Sequence, residues 1–349
     1  MTFGLLLLCL LAWLGGCGSS TYQPTEDPLF EKASFPVGVG VDSRGRFSDG
    51  SRFGALAFHH FGRITPGNAL KMDALRPAED IYDFDEAERF IALCEREGKP
   101  VWGHTLVWHL QTPTWLLNFD GTAEDWRVLL SDHIASTAGH FQGRVMAWDV
   151  VNEAFEDDGR LRDSLWRSHL GDDYLADAFR WARQADPDAA LFYNDYGIPF
   201  HPAKLQAVLS MIDDFQTRQP PVPIDGVGLQ MHITDTEPSI EAIRHVLSEL
   251  SARDLQVHFS ELDVSMNLNG LHATWTPELA ERQGQRFFDI VRVYRELPSH
   301  LQAGITVWGI GDGDSWIRYF FNRLDWPLLF DEDYEPKPAF FGFVEGLAD

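Results

Sequence analysis

The run AWDVVNEAF, residues 147–155, is largely apolar or β-branched and then breaks into Asn152-Glu153 with no turn residue beside it. A carboxylate closing so apolar a segment is costly unless the segment ends where the charge is used. A second carboxylate, Glu261, closes another apolar run within VHFSELDV, 108 positions further along the chain. Two carboxylates brought face to face suggest glycoside hydrolysis: one protonates the leaving oxygen and the other attacks the anomeric carbon. A retaining reaction needs them ~5–5.5 Å apart and an inverting one needs more room, a distance that sequence does not measure.

The elements that must position these groups repeat along the chain. Short apolar runs occupy residues 35–41, 61–65, 99–105, 144–151, 190–194, 225–230, 256–261 and 303–308. Between them lie stretches with apolar residues at threes and fours, at 84–98, 124–141, 172–185, 202–218, 239–252 and 277–296, with a closing one at 337–347. In the first of these Phe90, Ile91 and Cys94 share a face and Gly98 is the stop signal. Eight strand–helix units predict an α/β fold, a single-domain (β/α)8 TIM barrel, whose chemistry sits where its strands end. Polar or aromatic groups close six of the eight runs: TPGNALK after the second, His104, Asn152-Glu153, Gln230 with His232, Glu261, and Trp308. They would converge on one rim. Any one of them has a bland explanation, but a glutamate at both the fourth and the seventh strand end does not.

The chain carries 28 basic and 53 acidic residues, a formal net charge of −25, which argues against nucleic acid or an anionic membrane surface as partner. Aromatic residues make up 13%, including 12 Trp. Core packing accounts for such a content, and so does carbohydrate binding, since sugar rings stack their C–H faces on indole. His104 and His109 are five apart, on opposite faces if both lie in one strand, and no HExxH accompanies them, so no metal site is expected. Trp148 reads as core, and His59-His60 as surface or packing residues. The acidic runs EDD (156–158) and DEDY (331–334) read as solvated loops, with a calcium site as the alternative.

At the N-terminus, LLLLCLLAWL (5–14) is an apolar run of signal-peptide length, too short to span a bilayer comfortably. It leads into LGGC (14–17), which resembles the lipobox preceding a lipidated cysteine, here Cys17; MTFG carries no Lys or Arg, and an ordinary secretory signal is the alternative. Residues 1–17 are thus expected to be a signal segment, 18–33 a polar tether and 34–349 the barrel. An exported, cell-envelope or secreted location follows, with a membrane engaged only through a lipid on Cys17. Cys94 is the one cysteine left after that segment, so no disulfide framework within one chain is expected.

The motifs GHTLVWH (103–109), WDVVNEAF (148–155), YNDY (193–196), DGVGLQMH (225–232), SELDV (260–264), ITVWG with DSW (305–316), and PLLFD with YEPKPAF (327–340) occur in one order. In these the chain resembles the family 10 glycoside hydrolases, retaining endo-β-1,4-xylanases, over residues ~35–345. The resemblance implies hydrolysis of β-1,4 bonds in xylan without a cofactor or metal. It implies Glu153 as acid/base, Glu261 as nucleophile, Asn152 on the 2-hydroxyl of the reacting sugar, and His232 bonded to Glu261 and held by Asp263. Asn68, Lys71, His104, Trp108 and Gln111 match glycone contacts; Gln230 lies on the His232 face; Trp308 and Trp316 match the aromatic walls; Tyr193 and Asn194 are expected on the leaving-group side. A monomer is expected. The chain departs from the family at Gly67, where a glutamate is usual, and at Met72, Leu110, Met231 and Gly197. These departures bear on substrate range. Rival readings are the same chemistry on xylo-oligosaccharides or another β-glycan, and a non-catalytic carbohydrate-binding lipoprotein.

Overall fold

The computed structural model describes residues 24–42, 47 and 51–348. Eight parallel strands close into a barrel in sequence order. They are β1 Val37–Val41, β2 Arg63–Pro66, β3 Val101–Val107, β4 Val145–Asn152, β5 Ala190–Tyr196, β6 Gly226–Thr234, β7 Gln256–Ser265 and β8 Gln302–Val307. The helices expected between them are present, among them Asp85–Arg96, Ala123–His140, Pro202–Thr217 and Pro277–Tyr294. Their starts are written locally. Thr122 and Asp125 exchange side-chain and backbone bonds as a capping box, and proline occupies the first turn at Pro202, Pro277 and Pro338. Phe90, Ile91 and Cys94 are buried on one face, and burial pushes the Cys94 thiol up to about 12, an inert group.

Three features differ from the sequence expectation. Helix Arg52–His60, between β1 and β2, was not anticipated. Strands β6 and β7 run on to Thr234 and Ser265, past Gln230 and Glu261, because register shifts near those residues absorb an extra residue without ending the ladder. Residues 29–32, expected within the polar tether, are instead helical, and Leu29 is fully buried in the core. Residues 1–17, expected as a signal segment ending in Cys17, lie outside the described residues.

Inside the barrel the layers change character from bottom to top. Trp102, Ala147, Phe192 and Ala303 form a separate apolar plug. Beside it the buried Arg63 guanidinium sits over the Trp102 ring at 4.6 Å and bonds to His258 Nε2 at 2.7 Å and to the Ala303 carbonyl at 2.5 Å. Above this the lining turns polar, with Asp149, Asn152, Asn194, Gln230 and Glu261 among its buried side chains. Trp148 points outward and is fully buried, as a core residue. It needs Gly103 on the adjacent strand, where a Cβ would stand 2.2 Å from the indole.

Candidate active site

Glu153 follows the end of β4 and Glu261 lies within β7, and both adopt left-handed backbone conformations, φ 58° and φ 55°. Such values are uncommon for residues other than glycine and persist only where the surroundings over-determine them. At Glu153 those surroundings are explicit. Its N–H donates to the Asn194 carbonyl at 2.9 Å, its carbonyl accepts from Arg162 Nε at 3.0 Å, and the next amide, Ala154, donates to the Tyr193 hydroxyl at 3.1 Å. Register shifts between Asp149 and Val151 in β4, and between Phe259 and Leu262 in β7, change the in–out phase there. Asn152 with Glu153, and Ser260 with Glu261, consequently join one inward-facing network.

That network links the two carboxylates. Glu153 Oε1 accepts from Asn152 Nδ2 at 3.1 Å and Gln230 Nε2 at 3.0 Å, and Oε2 from Trp108 Nε1 at 2.8 Å. Glu261 Oε1 accepts from Asn194 Nδ2 at 2.8 Å, and Oε2 lies 3.1 Å from His232 Nε2. Asn194 Nδ2 also donates to Asn152 Oδ1 at 2.8 Å, so one amide touches both halves. His232 Nδ1 is 2.9 Å from Asp263 Oδ2, which also accepts from Trp316 Nε1 at 2.8 Å. Burial opposes a charge on His232, but Asp263 and then Glu261 outweigh it and raise the imidazole to about 10. Burial likewise opposes a charged Glu261, and the His232 bond, nearby His104 and the Asn194 amide together hold it below the usual carboxylate value. Glu261 is therefore an ionised carboxylate next to an imidazolium.

The remaining predicted residues line the same rim. Lys71 Nζ donates to Gln111 Oε1 at 2.6 Å and sits over the Trp108 ring at 4.5 Å, while Gln111 Nε2 donates to Asn68 Oδ1 at 3.2 Å. His104 Nδ1 lies 2.9 Å from Asp149 Oδ2, which orients the ring, and its edge meets Trp308 at 5.5 Å. Trp308 lies where Gly40 leaves space, since a Cβ there would stand 2.1 Å from the indole. Trp316 packs edge-on against His232 at 4.9 Å.

Two assignments are corrected. Tyr193 and Asn194 are fully buried and cannot line a leaving-group site. Tyr193 points out of the barrel, its hydroxyl donating to Asp195 at 2.5 Å. Asn194 points inward, but its amide is used by Asn152 and Glu261 and its carbonyl oxygen accepts from Ser260 at 2.6 Å. A third reading also changes. β3 stops at Val107, so strand alternation does not govern His109, whose Nδ1 lies 3.9 Å from Glu153 Oε2. Burial pushes His109 down to about 4, with Arg162 and Lys204 adding to it, so the ring is neutral.

Sequence reasoning missed Asp149, Arg162 and Trp166. Asp149 had a signal, a carboxylate within an apolar run, and its Cα is paired with that of His104 across β3 and β4. Arg162 and Trp166, which donates from Nε1 to the Trp108 carbonyl at 2.9 Å, reach the site from a loop and helix that carry no local mark of it.

A closed parallel barrel with two rim carboxylates, one bonded by neutral donors and one paired with His232, is the arrangement that glycoside hydrolysis needs. The chain matches Glycosyl hydrolase family 10 over residues 28–346 and belongs to that family. It is similar to endo-1,4-beta-xylanase B of Thermotoga neapolitana, 36% identical over 343 residues, 97% of this chain and 96% of that protein. Among solved structures it resembles native xylanase 10B from Thermotoga maritima, with TM-score 0.85, 36% identity, and 91% and 96% of the two chains covered. It also resembles xylanase 10B from Thermotoga petrophila RKU-1 in complex with xylobiose, with TM-score 0.86, 34% identity, and 93% and 98% covered.

Proposed function

We propose that this glycoside hydrolase is an endo-1,4-β-xylanase that cleaves xylan and its oligosaccharides with retention of configuration. The observation that carries the reading is the shared network in which Asn152, Asn194 and Gln230 join Glu153 to Glu261. In the first step the Glu153 carboxyl proton passes to the glycosidic oxygen while Glu261 attacks the anomeric carbon. The C–O bond breaks and a glycosyl ester forms on Glu261. Esterification removes the Glu261 charge, and Glu153, now a carboxylate, takes a proton from water as that water attacks the same carbon. The ester breaks, Glu261 is restored, and two inversions leave the β anomer. Asn152 is assigned to the 2-hydroxyl; Lys71, Asn68, Gln111, His104 and Trp108 to the glycone; Trp308 and Trp316 to the walls of the reacting subsite.

The same proposal places the enzyme outside the cytoplasm, tethered by a lipid on Cys17 or secreted, and acting as a monomer. The support for export is the apolar run 5–14 followed by LGGC. Product analysis on xylan, arabinoxylan, β-glucan and xylohexaose tests the substrate. A 2-fluoro xylobioside with a good leaving group should label Glu261, and mass spectrometry placing the label elsewhere rejects the assignment. Metabolic labelling with a fatty acid, compared between the natural chain and Cys17→Ser, tests the anchor.

A further inference from the structure

Twelve large apolar side chains stand exposed among the described residues, and six of them lie in two neighbouring loops on the C-terminal rim. Leu268 and Leu271 come from the loop after β7, and Tyr319, Phe320, Phe321 and Leu324 from the segment after β8. The loops are laced together: Asn267 Nδ2 donates to the Leu324 carbonyl at 2.8 Å, and Arg323 donates to the Leu268 carbonyl. Scattered single apolar residues need no explanation, whereas a cluster at a functional rim marks a contact surface.

This cluster continues the active site. Trp316, against His232, meets Phe320 at 5.5 Å and Phe321 at 5.9 Å, and those two rings meet each other at 5.0 Å. An aromatic path thus runs outward from the partner of Glu261 to solvent. Its charge is also unusual for this molecule. The chain has 53 acidic residues, yet neither SWIRYFFNRL (315–324) nor MNLNGLHATWT (266–276) contains one. A surface of apolar side chains and flat rings, whose Arg318 is paired with Glu332 and whose Arg323 is bonded to the Leu268 carbonyl, suits an uncharged chain with apolar C–H faces and hydroxyl edges.

We propose that this ledge is an additional binding surface for the neutral glycan chain, extending the cleft beyond the Trp316 wall and giving the enzyme a preference for long substrates. The proposal rests on the xylanase reading above. Phe320 and Tyr319 offer the stacking rings, and Leu271, 79% exposed, forms the outer lip.

The test compares kcat/KM of the natural protein with Phe320→Ala, Tyr319→Ala and Leu271→Ser on an aryl xylobioside, on xylotriose to xylohexaose, and on xylan. Loss of one stacking ring should lower kcat/KM about three- to tenfold on the longest substrates, shrinking steadily as the chain shortens. Phe320→Leu, which keeps packing against Trp316 but lacks the flat face, should resemble Phe320→Ala. Equal losses at every length would assign Phe320 to the support of Trp316 and overturn the ledge, as would no loss at any length. Sedimentation showing a dimer that Leu271→Ser dissociates would assign the surface to a second copy instead. If the natural protein releases no sugar from xylan, the functional reading itself fails; if it does and all variants match it, only the ledge fails.

Discussion

The two carboxylates sit in the same rim but in different electrostatic surroundings. Glu261 is held by an imidazolium, itself braced by Asp263, and by the saturated Asn194 amide. Among the described residues the Glu153 carboxylate is bonded only by neutral donors, Trp108, Asn152 and Gln230, with the neutral His109 nearby. The difference matches what each does. A nucleophile must stay ionised, so a fixed cation beside it is useful. An acid/base must lose and regain a proton in each cycle, and a fixed cation would oppose the regain. Both side chains are largely buried, 8% and 12% exposed, so exposure is not what separates them.

The largest effects should come from removing each carboxylate, and they should differ in kind. Glu153→Ala is expected to slow xylan hydrolysis by about 10²–10⁴-fold while sparing the first step on an aryl glycoside whose leaving group needs no proton. Azide should then yield a β-glycosyl azide, because it intercepts the ester on Glu261. Glu261→Ala should be inactive on both substrates, and azide should yield the α product. The same azide anomer from both variants would show that the two glutamates are not distinct in role.

Next in size is the bracing of the nucleophile. In Asp263→Asn, His232 loses its main counter-charge and Glu261 loses its cation. The acid limb of the kcat/KM profile should therefore move to higher pH. The stability consequence has a definite sign. His232 is raised from 6.5 to about 10 in the fold, so its contribution is fully present below pH 6.5 and is lost as pH rises toward 10. Glu261 is lowered, so its contribution is present above 4.5 and is lost as pH falls through its depressed value. Calorimetry from pH 6 to 10 should show His232→Gln losing part of the alkaline fall in Tm that the natural protein shows. An unchanged slope would remove the imidazolium from the account.

A smaller effect tests the backbone that presents Glu153. Tyr193→Phe leaves the buried Ala154 amide without its acceptor and deprives Asp195 of a donor. A cost of about 1–3 kcal/mol is expected. The first step, read as kcat/KM, should slow more on xylan than on an activated aryl glycoside, since only the xylan leaving group needs the Glu153 proton there. Equal falls on both would make Tyr193 a packing residue alone.

The smallest effect concerns the glycone end. Among the described residues a Cβ on Gly67 would meet only the Val41 carbonyl, a close approach at 3.3 Å, and its φ needs no glycine. Gly67→Glu should therefore fold, and should raise kcat/KM on a xylobioside by about tenfold while leaving a xyloside little changed. Normal folding with unchanged xylobioside kinetics would mean that a neighbouring group already serves that position.

The alternation of strands and helices was legible because it is local: apolar periods, caps and prolines are properties of short segments. Glu153, Glu261, His232 and Asp263 were legible because their motifs are contiguous, and Asp263 follows Glu261 by two along one strand, which puts both on one face. The family was legible from the order of those motifs. Tertiary structure decided which way residues point near the rim. The register shifts in β4 and β7 depend on neighbouring strands, and each moves the in–out phase by one. They turn Asn152 and Glu153 inward together and place Tyr193 and Asn194 among buried partners rather than at the leaving group. The left-handed conformations of both glutamates likewise exist only because distant groups hold them, Arg162 and Asn194 in the case of Glu153. The charge of His232 is likewise tertiary, since it requires two carboxylates from β7 to close around an imidazole from β6, and no residue next to His232 in sequence supplies either.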